Sequence, residues 1–132
     1  MARGRQQLWN SVSSPVGVTN QPDAYSWIVP HVLDRDEIKT LVDSFATGAQ
    51  MLRRAGFSGA ELHGAHGYLI TQFLSPWSNT RSDEYGGDLE GRTRFVREVI
   101  SAVRAACGDD FILGLKMPGD EGVEGGLDPD EA

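Results

Sequence analysis

The sequence predicts an α/β fold made of parallel β/α units. Between residues 34 and 117, stretches with a helical spacing of apolar residues alternate with short apolar runs, in the order helix, strand, helix, strand. The composition agrees with a folded chain that is rich in turns, since 39% of the 132 residues are hydrophobic and 16 are glycine. A long loop, residues 64–88, interrupts this alternation after the first strand.

The chain before the first helix is predicted to be an extended connector covering residues 1–33, because residues 11–30 are rich in Ser, Pro, Asn and Val and show no sustained period. The first helix then begins after Asp34, which forms a capping box with Glu37. Gly56 suits the position just past the helix end. The apolar residues between these signals follow a helical spacing, at Ile38, Leu41, Val42, Phe45, Ala49 and Leu52.

Two strands and a second helix complete the predicted units. Residues 57–63 form a short, sharply bounded run that we expect to be a buried strand, and residues 111–117 form a second apolar strand. The second helix covers about residues 89–106 and ends at Gly108. Cys107 lies on the apolar stripe of this helix and is expected to be an inert core thiol.

Charge and composition argue against several classes of protein. Nineteen acidic and 12 basic residues give a formal charge of −7, which argues against binding to nucleic acid. No stretch approaches the ~20 apolar residues of a membrane span, and no apolar segment follows the N-terminus as in a secretory signal. The single cysteine excludes an internal disulfide and fits a reducing compartment, so we expect a cytoplasmic location.

The last residues predict the opening of a further helix. Asp128 is its candidate N-cap, Pro129 occupies the first helical position and Glu131 the third. Two strands alone cannot form a parallel sheet that is covered on both faces. We therefore expect the sequence to be the middle part of a larger β/α protein, about two units of a (β/α)8 barrel, whose complete form needs about 250 residues.

The candidate site lies where the first predicted strand enters the long loop. Typical βα loops have about 2 to 6 residues, so a loop of this length with several aromatic residues is expected to be functional. His63 and His66 are three positions apart at the strand end, and Tyr68 follows two positions later. Imidazole N–H groups can polarise a carbonyl, and a phenol can deliver a proton, so these residue types suit catalysis at a carbonyl compound.

Spacing alone leaves two other interpretations of this cluster open. One imidazole could cap the strand end while Tyr68 packs with Leu69 and Ile70. A His-x-x-His pair could also bind a metal ion, but no cysteine or nearby acidic residue completes a zinc site. No metal is therefore predicted.

Residues 61–95 resemble the signature stretch of the old yellow enzyme family. The resemblance rests on ELHGAHGYLITQFLSP at residues 61–76 and SNTRSDEYGGDLEGRTRF at residues 78–95. Members of this family are FMN-dependent NAD(P)H:flavin oxidoreductases and ene-reductases built on a (β/α)8 barrel. The likeness is greatest to the branch with a second histidine at position 66, where other members carry asparagine, and it extends over most of residues 34–132.

The resemblance implies catalytic roles for three side chains. The residues that match His63 and His66 hydrogen-bond the carbonyl oxygen of the substrate, where negative charge develops as hydride arrives. The tyrosine that matches Tyr68 protonates the neighbouring carbon on the opposite face. The implied ligands are FMN, NAD(P)H as reductant and a small molecule with an activated alkene.

The resemblance also implies a cofactor contact at Lys116. The family usually has an arginine at this strand end, beside the flavin ring, and lysine supplies the charge without the planar fork of arginine. On the residues alone, Lys116 could equally reach into solvent. The other matching residues are expected to be structural, with charged pairs inside the loop and glycines at positive φ, namely Asn79, Arg81, Asp83, Glu84, Tyr85, Gly86, Gly87 and Arg92.

Three hypotheses about function follow. The first is a flavin oxidoreductase, present as a truncated chain. The second is a catalytically inactive remnant, or a β/α piece that depends on a complementing chain or on a second copy of itself. The third is a small acidic binding module unrelated to flavin. A visible flavin absorption band in the purified protein favours the first hypothesis over the other two.

Overall fold

The computed structural model describes residues 15–22 and 27–132. The predicted alternation of helix and strand is present, and the described part of the chain is α/β. None of the helices in that part combines the length and apolarity needed to cross a bilayer. The elements, in chain order, are β1 (Val16–Gly17), β2 (His31–Val32), α1 (Arg35–Arg54), β3 (Gly59–His63), α2 (Leu69–Leu74), α3 (Leu89–Cys107) and β4 (Ile112–Lys116).

Helix α1 begins at the predicted capping box. The Glu37 N–H donates to Asp34 Oδ1 at 2.8 Å, and the Asp34 N–H donates to Glu37 Oε2, also at 2.8 Å. Both hydrogen bonds satisfy amide groups that have no partner inside the helix. Gly56 follows the helix with a φ of 91°, in the left-handed region that favours glycine.

Helix α3 packs against α1 and carries the centre of the core. Asp88 caps it by accepting a hydrogen bond from the Gly91 N–H at 2.9 Å. The Phe95 ring contacts Phe45 of α1 and Phe73 of α2, at centroid distances of 6.2 and 4.4 Å. Because Phe95 and Phe73 are fully buried, these ring contacts join the three helices through one apolar cluster.

Strands β3 and β4 pair in parallel, with Gly59 opposite Ile112 and His63 opposite Lys116. Side chains of a strand alternate between the two faces of its sheet. One face packs against the core through Ala60, Leu62, Leu113 and Leu115. The other face is exposed and carries Glu61, His63, Ile112 and Lys116.

The expectation of a buried first strand is wrong for one face of this sheet. Leu62 is the buried residue of β3, whereas Ile112 of β4 is 68% exposed. Phe57, predicted to start the strand, precedes β3 and is exposed. The reason is that, among the described residues, helices cover a single face of the sheet, whereas fully buried parallel strands have both faces covered.

Helix α2 lies inside the segment that the sequence predicts to be a loop. Its residues Ile70, Phe73 and Leu74 are buried, and it packs against α3. A helix of six residues is too short for its hydrophobic period to be recognised. Tyr68 at its N-cap also makes no side-chain capping hydrogen bond, so no start signal is present.

The connector predicted for residues 1–33 contains a short strand pair that the sequence does not reveal. Strands β1 and β2, of two residues each, pair in parallel. The Leu33 N–H extends this pairing by donating to the Gly17 carbonyl at 3.0 Å. Residues 1–14 and 23–26 of the predicted connector lie outside the described residues.

A capped turn stands where the sequence predicts the opening of a last helix. Asp128 Oδ1 accepts hydrogen bonds from the N–H groups of Asp130 and Glu131, both at 3.0 Å. This is the capping interaction that we expect at a helix start. The turn does not continue into a helix within residues 128–132.

Candidate active site

The ends of β3 and β4 bring His63 and Lys116 to one edge of the sheet. The two residues are direct partners in the parallel register, and both are exposed. The Gly64 N–H extends the pairing beyond β3 by donating to the Lys116 carbonyl at 2.8 Å. Because α/β folds bind ligands at the carboxyl ends of parallel strands, this edge is the candidate site.

A tight turn after β3 returns the chain towards His63. Backbone φ is 60° at His66 and 70° at Gly67, and the Tyr68 N–H donates to the Ala65 carbonyl at 3.3 Å. Positive φ at both central positions is typical of a type I′ turn. Besides glycine, asparagine, aspartate and histidine are the residues most enriched at positive φ. Position 66 is therefore suited to histidine or asparagine.

The structure brings together the three rings on which the sequence prediction depends. The centroids of His63 and His66 are 5.1 Å apart, with an angle of 65° between the ring planes. The centroids of His63 and Tyr68 are 5.0 Å apart, with an angle of 52°. His63 thus lies at the centre of this cluster, which we call the ring cluster.

The polar atoms of the ring cluster are available to a ligand. Both imidazoles are exposed, and in the described part of the chain neither they nor the Tyr68 hydroxyl hydrogen-bond to protein. Tyr68 is 44% exposed, in contrast to Ile70 at 1%. Residues 15–22 and 27–132 contain no group of three His, Cys, Asp or Glu side chains placed to hold a metal ion.

The long loop is held by buried hydrogen bonds from Asn79. This residue is buried, and its Nδ2 donates to the carbonyls of Phe73 and Tyr85, both at 2.7 Å. Its Oδ1 accepts a hydrogen bond from the Arg81 N–H at 3.2 Å. A buried carbonyl needs such a partner because water cannot reach it. Asn79 thus has the structural role expected from the sequence.

Arg81 joins the loop to the N-terminal strands. Its guanidinium pairs with Asp83 through Nε–Oδ1 at 2.9 Å and Nη2–Oδ2 at 2.6 Å. Its Nη1 donates to the carbonyls of Leu33 at 2.7 Å and Val18 at 3.2 Å. The hydrogen bond from Arg81 is the main cause that lowers the pKa of Asp83, against the opposing effect of desolvation.

The Arg81–Asp83 pair predicts a loss of stability in acid. The pKa of Asp83 in the folded protein lies below its usual 3.8. The pair therefore stabilises the fold at pH values above 3.8. This contribution is lost as the pH falls towards the folded-state pKa. We expect the free energy of unfolding in urea to decrease below about pH 4, and Asp83→Asn to flatten this decrease. Asp109→Asn, at an exposed carboxylate, is the control, and an unchanged slope in Asp83→Asn would contradict the assignment.

Arg92 connects α3 with the end of α2 and with the C-terminal turn. It is 6% exposed, and its Nε and Nη1 donate to the carbonyls of Leu74 and Gly87, both at 3.0 Å. Its Nη2 pairs with Glu131 Oε1 at 2.7 Å. Arg92 is therefore a structural residue, as expected from the sequence.

The two adjacent glycines of the loop are required for different reasons. Gly87 has a φ of 78°, as expected. Gly86 does not have positive φ, so the expectation is wrong at this position. A Cβ atom at Gly86 would lie 2.3 Å from the Arg81 carbonyl oxygen, closer than real Cβ contacts permit. Close packing, and not backbone conformation, requires glycine there.

Tyr85 is a structural phenol and differs from Tyr68 in its surroundings. Its side chain is buried, and its hydroxyl donates to Glu98 Oε2 at 2.9 Å. Burial, followed by the hydrogen bond to Glu98, raises the pKa of Tyr85 to about 12. A buried phenol that is already committed to a carboxylate is not a proton donor for a substrate, so Tyr68 is the better candidate.

A cavity of about 320 Å³ lies beside His66, between α2 and the segment after β4. Trp77 lines it. The cavity is also lined by Thr71, Asp120 and Glu121, which sequence reasoning does not single out. No sequence signal relates Thr71 to two residues about fifty positions away, because only the packing of the loop segments brings them together.

Comparison with known proteins shows the family to which this chain belongs. The pattern that defines the NADH:flavin oxidoreductase / NADH oxidase family matches residues 2–132. The NADPH dehydrogenase of Clostridium acetobutylicum is 46% identical over 133 aligned positions, which cover 95% of this chain and 39% of that protein. The fragment character expected from the sequence agrees with this partial coverage.

Two solved structures resemble the described fold. The structure of 2-naphthoyl-CoA reductase in complex with 2-naphthoyl-CoA matches with a TM-score of 0.85 and 33% identity, over 89% of this chain and 18% of that one. The structure of morphinone reductase in complex with tetrahydroNAD matches with a TM-score of 0.79 and 29% identity, over 90% of this chain and 37% of that one. The chain thus spans well under half of these relatives.

Proposed function

Because the chain belongs to the NADH:flavin oxidoreductase / NADH oxidase family, we propose that it functions in an FMN-dependent oxidoreductase. The overall reaction passes hydride from NAD(P)H through FMN to an activated alkene or a similar small-molecule acceptor. The observation that carries this proposal is the ring cluster of His63, His66 and Tyr68 at the carboxyl end of β3. An imidazole pair next to an exposed phenol supplies both the hydrogen bonds and the proton that this reduction needs.

His63 and His66 hold the carbonyl oxygen of the substrate in this proposal. Their ring centroids are 5.1 Å apart, close enough for both rings to donate to one oxygen atom. Negative charge grows on that oxygen as hydride adds to the conjugated carbon. Donors fixed before the reaction stabilise the developing charge more than the neutral carbonyl, by about 3 kcal/mol for one well-placed donor. The left-handed turn at His66 contributes by fixing the direction of its side chain.

Tyr68 delivers the proton. When bound, FMN supplies the hydride to one carbon of the double bond, and the Tyr68 hydroxyl protonates the neighbouring carbon, which gives the saturated product. The hydroxyl is free to do so because no described residue accepts a hydrogen bond from it. The contact with the His63 ring, at a centroid distance of 5.0 Å, positions the phenol next to the carbonyl-binding imidazoles.

Lys116 fits the charge requirement of the flavin. It lies in register with His63 and is exposed at the same sheet edge. A cation near the pyrimidine part of a flavin stabilises the negative charge that the reduced ring carries. We assign Lys116 to this contact, and its point charge replaces the bidentate guanidinium that an arginine would offer.

The finer architecture and surroundings are also part of this proposal. We assign residues 34–132 to about two units of an FMN-binding (β/α)8 barrel, which the parallel register of β3 and β4 supports. We propose that further strands, from a complementing chain or a second copy, cover the exposed sheet face that includes Ile112. The buried free thiol of Cys107 supports the cytoplasm as the compartment.

Titration of the protein with FMN tests the proposal. We expect a visible flavin absorption band to remain with the protein after gel filtration and NAD(P)H to bleach it. Lys116→Gln is expected to weaken FMN binding roughly tenfold, because it removes one cation from the flavin contact. Lys39→Gln, at the other lysine of the chain, is the matched control and should bind FMN normally. A protein that retains no flavin, or equal FMN affinity in Lys116→Gln, would contradict the proposal.

A further inference from the structure

We propose that Gln72 is a positioning residue of the candidate active site, because it holds the left-handed turn that directs the His66 imidazole. Gln72 lies on α2, one helical turn after Tyr68. Its side-chain Nε2 donates to the Gly67 carbonyl at 3.2 Å, back across the start of the helix. Only the contact of His66 with a substrate rests on the proposed function, since the position of the ring does not depend on flavin.

The turn after β3 needs support from outside itself. A φ of 60° is less favourable at His66 than at a glycine, because a Cβ atom is present, and such a conformation persists where the surrounding structure fixes it. The hydrogen bond that closes the turn, from the Tyr68 N–H to the Ala65 carbonyl, is long at 3.3 Å. Gly67 cannot hold the turn either, since glycine adopts many backbone conformations with little cost.

Gln72 fixes two consecutive carbonyl groups at the exit of this turn. Its backbone N–H donates to the Tyr68 carbonyl at 2.9 Å, and its side-chain amide donates to the Gly67 carbonyl. Within residues 15–22 and 27–132, no backbone amide donates to the Gly67 carbonyl, so the side chain supplies this hydrogen bond. Because each carbonyl lies in the plane of its peptide unit, Gln72 holds the peptide planes on both sides of Tyr68. The turn that contains His66 therefore ends in a fixed backbone.

Gln72 is itself held by the loop that follows α2. The Ser78 hydroxyl donates to the Gln72 carbonyl at 3.0 Å, and the Ser78 carbonyl accepts a hydrogen bond from the Thr19 hydroxyl at 3.2 Å. These bonds form a continuous path from the segment after β1 to the Gly67 carbonyl. A functional side chain is placed precisely when the residues that support it are themselves fixed in this way.

The consequence for the proposed reaction lies in the spacing of the two imidazoles. The turn keeps the His66 ring next to His63, with ring centroids 5.1 Å apart, so both can donate to one carbonyl oxygen. A misplacement of about 1 Å at a reacting centre can lower a rate by about a hundredfold. Gln72 touches neither ring, and it acts on the site only through the backbone of the turn.

Nuclear Overhauser measurements on the flavin-free protein test this proposal. Gln72→Met keeps a side chain of similar length and removes its hydrogen-bond donors, whereas Gln72→Glu keeps the shape and places an acceptor near the Gly67 carbonyl. We expect the cross-peak between the ring protons of His63 and His66 to weaken at least about twofold in both variants, because the released turn adopts other conformations.

Two controls separate this effect from a general loss of structure. Gln50→Met is the matched variant, because Gln50 is also a half-buried helical glutamine whose Nε2 donates to a carbonyl, that of Ala106 at 3.4 Å. It should leave the imidazole cross-peak unchanged. The cross-peak between Phe73 of α2 and Phe95 of α3, whose ring centroids are 4.4 Å apart, should persist in every variant.

An unchanged imidazole cross-peak in both Gln72 variants would overturn the proposal. Loss of the phenylalanine cross-peak in both would also overturn it, since α2 as a whole would then be displaced. In the flavin-loaded protein we expect both variants to reduce the alkene about tenfold more slowly. A weakened imidazole cross-peak together with a normal rate of alkene reduction would contradict only the role that the proposed function gives to His66.

Discussion

Replacing Tyr68 by phenylalanine is expected to slow alkene reduction by a factor on the order of a hundred or more, the usual cost of losing a positioned proton donor. Reduction of bound flavin by NAD(P)H should continue at its normal rate, because that step needs no proton from the phenol. The phenylalanine ring keeps the contact that the tyrosine ring makes with His63 at a centroid distance of 5.0 Å. Rapid-mixing measurements of the two half-reactions in the flavin-loaded protein separate these effects.

Tyr85→Phe provides the matched control for this experiment. It also removes one phenolic hydroxyl, but Tyr85 is buried and its hydroxyl donates to Glu98 at 2.9 Å. We expect this variant to lose some stability and to keep the ratio of the two half-reaction rates. If Tyr68→Phe slowed both half-reactions by the same factor, Tyr68 would not be the proton donor and a general effect on flavin binding would explain the loss.

Arg92→Met is expected to lower the free energy of unfolding by about 3 kcal/mol, since it leaves the buried Leu74 carbonyl, the Gly87 carbonyl and one carboxylate without their partner. The guanidinium donates to the carbonyls of Leu74 and Gly87 and pairs with Glu131. Methionine fills a similar apolar volume but donates no hydrogen bond. Urea denaturation at neutral pH measures the change.

Arg97→Met tests whether this effect belongs to the buried position. Arg97 lies on the same helix as Arg92, but it is exposed, and exposed substitutions usually change stability by less than about 0.5 kcal/mol. A loss below about 1 kcal/mol in Arg92→Met would indicate that water replaces the guanidinium. The long loop would then depend mainly on Asn79 and Arg81.

Much of the local structure could be predicted from the sequence because its causes lie within one or two turns of the chain. The capping box of Asp34 and Glu37 forms as expected, and Gly108 ends α3 with a φ of 78°. The proximity of the rings was also predictable. His63, His66 and Tyr68 fall within six consecutive positions, so one tight turn suffices to bring them together.

The short elements were not predictable, because their stability comes from packing. Helix α2 has no start signal and no recognisable period, and it is helical because its apolar residues are buried against α3. The parallel pairing of β1 with β2 joins segments whose composition favours no regular structure. Arg81 reaches the carbonyls of Val18 and Leu33, which are 63 and 48 positions away in the chain.

By itself, the sequence determined the helix ends, the alternation of helix and strand, and the three rings at the end of β3, since each depends on neighbours in the chain. Tertiary structure alone decided that one sheet face is exposed, that Gly86 is required for close packing, and that Thr71 and Trp77 share a cavity with Asp120. The physical reason is the range of the interactions. Capping and turn formation act over a few residues, whereas burial and cavity shape depend on which distant segments pack together.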